Sequence, residues 1–124
     1  MKQIVELFLE NLSSREQFCF GIKCEECGAV YRSTAERFSK ASLVPESKSK
    51  QIIHDAVYEL EMSAYRKKAV SQLAEHINRC PICKKLVCNN CFLICEDIDM
   101  CMSCANKLEE KGVPVYQEAI EAFI

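Results

Sequence analysis

Eight of the ten cysteines in this chain stand in four Cys-x-x-Cys pairs: Cys24/Cys27, Cys80/Cys83, Cys88/Cys91 and Cys101/Cys104. Two residues between thiols let both sulfurs of one tight turn reach the same ion, and two such turns complete a tetrahedral four-sulfur site. Four pairs therefore predict two ions held by eight thiolates, and the metal that suits closed all-thiolate tetrahedra is structural zinc. The competing chemistries are disulfides, an iron–sulfur cluster and a thiol redox switch. Disulfides need an oxidising compartment, and the start MKQIVELFLENL has Glu6 and Glu10 where a secretion signal needs an unbroken apolar run. No apolar stretch approaches the roughly 20 residues that span a bilayer. The expectation is a cytoplasmic protein with no membrane partner. Cys88, Cys91 and Cys95 do not form the CxxCxxC core of the bacterial ferredoxin run.

A length of 124 residues suits a single domain, and 49% hydrophobic with 27% charged residues argues against disorder. The hydrophobic share includes the cysteines, so the remaining apolar inventory is modest and metal crosslinks are expected to replace part of the core. The formal charge of −2 falls to about −6 once eight thiolates and two divalent ions are included. That disfavours indiscriminate phosphate binding. Residues 23–85 hold 12 Lys/Arg against 8 Asp/Glu, whereas residues 86–124 hold 2 against 7. A solvated helix surface accounts for this unevenness as well as a binding patch does.

Along the chain, Ile4, Val5, Phe8, Leu9 and Leu12 recur at helical spacing and predict a short amphipathic helix within 1–16. Residues 17–33 read as a hairpin around the first knuckle, with Phe18–Ile22 entering it and Ala29–Arg32 returning. Gly28 follows the second cysteine where the turn needs a residue tolerant of positive φ. No Gly or Pro occurs from Glu46 to Cys80, and Ile53, Val57, Leu60 and Ala64 recur every three or four residues. One long helix over 46–79 follows, its apolar stripe passing to Val70, Leu73 and Ile77 after Arg66-Lys67-Lys68. Such a stripe outlasts a small zinc domain, so part of it needs cover from a partner or a second copy. Residues 80–112 carry the second to fourth knuckles, packed as a short hairpin with a cysteine pair at each end. A helix over 105–111 closed by Gly112 ends this segment. The tail 113–124 places Tyr116, Ala119, Ile120 and Phe123 on one helical face, suited to docking or to folding back over the domain. The fold class expected is a small α+β, zinc-stabilised domain.

Spacing alone permits sequential pairing of the knuckles or a cross-brace, in which the first pair joins the third and the second joins the fourth. The string His76-Ile-Asn-Arg-Cys80-Pro-Ile-Cys83-Lys-Lys-Leu-Val-Cys88-Asn-Asn-Cys91 has a Cys-x-x-Cys before it and Met100-Cys101-Met-Ser-Cys104-Ala105 after. In knuckle order it resembles FYVE-type treble-clef domains. That resemblance implies one zinc on Cys24, Cys27, Cys88 and Cys91 and another on Cys80, Cys83, Cys101 and Cys104. It departs where phosphoinositide recognition would reside: the run before the third ligand, Cys80, is His76-Ile77-Asn78-Arg79, Lys84 replaces the usual glycine after the fourth, and the chain has no tryptophan. Phosphoinositide binding is therefore not carried over. Over residues 17–114 the chain is more similar to small uncharacterised bacterial zinc-ribbon-type proteins, a resemblance that implies a zinc-ribbon knuckle fold and a metal but no activity.

Catalytic zinc keeps an open coordination position and usually a His or carboxylate ligand. Eight thiolates in two closed sites offer neither, and His54 and His76 suggest no pairing of nucleophile and base. His76 is read as a packed or ligand-supporting residue, and Cys19 and Cys95 as buried apolar residues. The leading expectation is a non-enzymatic scaffold that binds a protein partner or a second copy, with no small-molecule substrate. Two alternatives are a nucleic-acid binder using Arg32, Arg37, Lys67, Lys68, Arg79, Lys84 and Lys85, and a redox sensor that releases zinc.

Overall fold

The computed structural model describes residues 1–112 and Val115, so the expectation for the apolar tail lies outside the described residues. It is a small α+β structure whose strands are short antiparallel pairs. The sequence reads as one domain, but the chain's contacts resolve into two compact units. One comprises residues 2–22 and 31–75; the other, among the described residues, comprises 23–30 and 76–112.

The first unit starts with helix α1 (Lys2–Leu7), which buries Val5. The helix expected through Leu12 stops at Leu7, because Glu10–Asn11 form strand β1 and pair antiparallel with Gly21 and Phe20 of β3 (Phe20–Lys23). The Asn11 side chain fixes the exit by accepting from the Ser13 N–H at 3.0 Å, a local bond that competes with helix. The strand expected over Phe18–Ile22 is likewise divided. Strand β2 (Gln17–Phe18) pairs with β5 (Glu36–Arg37), while β3 lies between β1 and β4 (Val30–Arg32).

Helix α2 (Lys48–Ala74) has Ser47 at its N-cap, where the hydroxyl accepts from the Lys50 N–H at 3.2 Å. It ends five residues short of the expected Arg79, because Ile77–Arg79 pair as strand β6 in the other unit. Of the expected apolar stripe, Val70 and Leu73 are buried, but Ile53, Leu60 and Ala64 are not. Ile53 is 60% and Leu60 72% exposed, and the covered face is the one carrying His54, Tyr58 and Tyr65. Aromatic packing decides this orientation. Phe18 lies 5.9 Å from Phe38, 5.1 Å from Tyr58 and 5.8 Å from Tyr65, and Phe38 meets the His54 ring edge-on at 5.2 Å. Each large ring buries more apolar area than the aliphatic side chains of the opposite stripe.

The second unit is built from two hairpins and a helix. Strand β6 (Ile77–Arg79) pairs with β7 (Leu86–Cys88), and β8 (Phe92–Leu93) pairs with β9 (Met100–Cys101). Helix α3 (Met102–Glu110) follows directly and closes at Gly112, whose φ of 81° gives the left-handed stop expected there. Cysteine apart, its buried apolar side chains among the described residues are Ile77, Leu86, Val87, Met100 and Ala105. Among the described residues no helix is long and apolar enough to cross a membrane.

The first unit depends on one buried hydroxyl network. Tyr65 Oη meets Ser33 Oγ at 2.5 Å and donates to the Thr34 carbonyl at 2.6 Å, and Ser33 in turn accepts from the Phe20 N–H at 2.9 Å. Tyr65→Phe leaves the ring packing intact but deprives the Thr34 carbonyl of its donor and the buried Ser33 hydroxyl of a partner, a loss of about 1–2 kcal/mol. Urea denaturation followed by circular dichroism should show this fall in midpoint without a change in slope.

Candidate metal centres

Two of the four cysteine pairs sit in knuckles with the same backbone pattern. In the first, Cys24 N–H donates to the Ala29 carbonyl at 2.8 Å and Gly28 N–H to the Cys24 carbonyl at 3.0 Å. In the second, Cys80 N–H donates to Lys85 and Lys84 N–H to Cys80, both at 2.9 Å. This turn drives the residue after the second cysteine to positive φ, 79° at Gly28 and 67° at Lys84. Glycine takes that conformation freely, whereas an L residue there costs about 1–2 kcal/mol.

The other two pairs open helical turns. Cys88 is the N-cap of a short 3-10 turn, Asn89–Cys91, and Cys101 is the N-cap of α3, its Sγ accepting from the Cys104 N–H at 3.5 Å. Each capping cysteine also reaches across to a knuckle. Cys88 N–H donates to Cys24 Sγ at 3.2 Å, and Cys101 N–H donates to Cys80 Sγ at 3.4 Å.

The eight sulfurs thereby form two groups, Cys24/Cys27/Cys88/Cys91 and Cys80/Cys83/Cys101/Cys104, each with its four Sγ atoms within 4.8 Å of one another. The joining is crossed, first pair with third and second with fourth. Four sulfurs each about 2.3 Å from a central ion stand about 3.8 Å apart at the corners of a tetrahedron. The separations Cys27–Cys88 at 3.8 Å, Cys88–Cys91 at 3.7 Å, Cys80–Cys104 at 3.8 Å and Cys83–Cys101 at 3.7 Å fit that figure. They are far beyond the roughly 2.05 Å of a disulfide. Each group can therefore hold one metal ion.

The electrostatics divide the thiols of each group. Burial pushes Cys24 up, but N–H groups of Cys27, Cys88 and Glu26 aimed at its sulfur outweigh that and bring it down to about 6. Cys80 is brought to about 6 in the same way, by the N–H groups of Cys83, Cys101 and Ile82 against its burial. Cys91 and Cys104 move the other way, raised by burial and by the neighbouring thiols. One sulfur in each group is thus prepared as a thiolate, and Cys91 and Cys104 need a cation to lose their protons.

His76 belongs to neither group, and neither do Cys19 and Cys95. Cys19 is buried in the first unit with its Sγ 3.5 Å from the Ser33 carbonyl, and Cys95 is buried with its Sγ 3.7 Å from the Leu93 carbonyl. The contact that sequence reasoning missed joins Glu26 and Ser103, each standing immediately before the second cysteine of its pair. A shared position in the motif is the one signal that singles them out. Comparison with family models, curated proteins and solved structures finds no match.

A Cβ added at Gly28 meets only the Lys23 Cε, at an ordinary 3.8 Å, so the cost of Gly28→Ala comes from its φ rather than from crowding. Gly28→Ala should destabilise the metal-loaded protein by about 1–2 kcal/mol, and Lys84→Gly should leave it at least as stable as the parent. Denaturant titration of the two variants beside the parent checks both signs.

Proposed function

We propose that this chain is a non-enzymatic zinc scaffold, in which two zinc ions, one per four-cysteine group, hold the second unit together in a cross-braced, treble-clef-like arrangement. The observation that carries this reading is the sulfur geometry: two separate sets of four thiols at the spacing a tetrahedral zinc site requires. The donor set selects among metals, since four soft thiolates in a closed tetrahedron suit zinc, whereas magnesium and calcium take oxygen. Four thiolates also complete the coordination of each ion. No position is left for a water or a substrate, so the metal acts on shape rather than on bonds.

What the scaffold presents is an apolar helix face. Ile52, Ile53 and Leu60 of α2 are exposed, as are Leu43 and Val44 before it, and these residues support recognition of a protein partner. The cytoplasm, where thiols stay reduced and available to metal, suits this chemistry. A nucleic-acid surface is less well supported. Lys68 pairs with Glu36 at 3.2 Å and Lys85 lies 3.9 Å from Glu26, so part of the proposed basic face is already matched by carboxylates. Redox release of zinc would begin at Cys27 and Cys83, the most exposed sulfurs of their groups.

Native mass spectrometry of protein expressed without added metal should show two zinc ions per chain. Removing them with a chelator under reducing conditions should abolish amide protection at 77–79 and 86–88 while leaving protection around Tyr65 and Leu73 of α2. Hydrogen exchange with peptide mapping reads both regions in one experiment. Iron in place of zinc, or protection at 77–88 that survives chelation, would contradict the proposal.

A further inference from the structure

Within the second unit, one side chain links the two metal centres. Glu26 stands in the knuckle of the first centre, between Cys24 and Cys27. Its Oε1 accepts a hydrogen bond from the hydroxyl of Ser103, which stands between Cys101 and Cys104 of the second centre. Its Oε2 is buried, has no hydrogen-bond partner, and lies 3.9 Å from the Lys85 ammonium. The Lys85 carbonyl closes the Cys80–Cys83 knuckle. A carboxylate from one centre therefore meets both halves of the other.

Side-chain exposure of Glu26 is only 23%. A carboxylate held this close to the protein is tolerated only where its charge is matched, so its position depends on the 101–104 turn and on Lys85 both being in place. The backbone runs the same way. Strand β6 leads straight into Cys80 and its partner β7 ends at Cys88, so one hairpin carries the knuckle of the second centre and the turn of the first. Glu25 N–H adds a tie from the first knuckle to the Leu86 carbonyl of β7 at 2.9 Å. The hairpin joins one half of each centre, and Glu26–Ser103 joins the remaining halves into a closed ring.

We infer that Glu26 couples the two centres, so that zinc bound at one prepares the other and the ions load cooperatively; this rests on the zinc-binding reading above. The first ion orders one knuckle and one turn. Through the hairpin and the Glu26–Ser103 bond, the second ion then meets cysteines whose conformational freedom is already reduced. A charge-assisted hydrogen bond at a partly buried position supports coupling of about tenfold.

The test is a zinc titration of the full-length, reduced, metal-free protein, read by native mass spectrometry at one ion per chain. For independent sites the squared one-ion population, divided by the product of the zero-ion and two-ion populations, is at least about 4. With tenfold coupling and equal intrinsic affinities the parent protein should fall to about 0.4, with the one-ion species scarce. Ser103→Ala and Glu26→Ala should each raise the ratio about tenfold, and Ser103→Thr, which keeps the hydroxyl, should restore the parental value. Circular dichroism of the fully loaded variants separates lost coupling from lost folding. A parental ratio at or above about 4, or alanine variants that leave the ratio unchanged, would overturn the coupling while leaving two-zinc binding intact. Failure to take up zinc at all would overturn the zinc reading along with it.

Discussion

Four thiols converging on one point are unfavourable unless something positive stands among them, and the second unit places two such convergences in its interior. Without a cation, burial first and the neighbouring thiols second raise the pKa of Cys91 and Cys104. With one, four sulfurs become a crosslink among segments far apart in sequence, residue 24 with residue 91 and residue 80 with residue 104. Every other feature of the unit serves this closure. The knuckles bend the chain so that N–H groups face sulfur, the capping cysteines bring the N-terminus of a helical turn to each site, and the β6–β7 hairpin spaces the sites. Beyond cysteine, the few buried apolar residues supply little hydrophobic stabilisation, so metal is proposed to take that part.

The first unit rests on a different principle. Phe18, Phe20, Phe38 and Tyr65 pack as a contiguous aromatic cluster, with the Tyr65 hydroxyl satisfied by Ser33 and Thr34. Burying several rings stabilises a small fold without metal, because each removes a large apolar area from water. Two faces divide α2. Its aromatic face is used for packing, and its aliphatic face carries the exposed Ile52, Ile53 and Leu60.

Cysteine spacing makes the knuckles and the positive φ at Gly28 legible in the sequence, because a turn that places two sulfurs near one ion has few solutions. The crossed grouping of the pairs is not fixed by spacing, which also permits a sequential arrangement; the four residues between Cys83 and Cys88 and the order of the knuckles along the chain hint at it. Local patterns decide less elsewhere. Leu9 and Leu12 continue the periodicity of α1, yet pairing of Glu10–Asn11 with β3 wins, since strand pairing is a non-local gain that periodicity does not register. The first part of the apolar stripe of α2 points to the wrong face for a related reason: it counts Ile53 and Leu60 but not the aromatic partners 20 to 47 residues away that claim Tyr58 and Tyr65. Ile77–Arg79 read as the end of a helix because Gly and Pro are absent there, although their β-pairing with Leu86–Cys88 positions Cys80. Beyond their shared position before the second cysteine of a pair, nothing in the sequence marks the Glu26–Ser103 contact, because it joins two ordinary polar residues 77 positions apart.

A closed shell of sulfur around each ion is the central claim, and X-ray absorption at the zinc edge of the protein as purified measures that shell directly. The expected result is four sulfurs per zinc at about 2.3 Å, with no nitrogen or oxygen neighbour and no second metal close by. A shell containing nitrogen or oxygen would place His76, a carboxylate or water on the metal, reopening the coordination sphere and contradicting the closed, purely structural role.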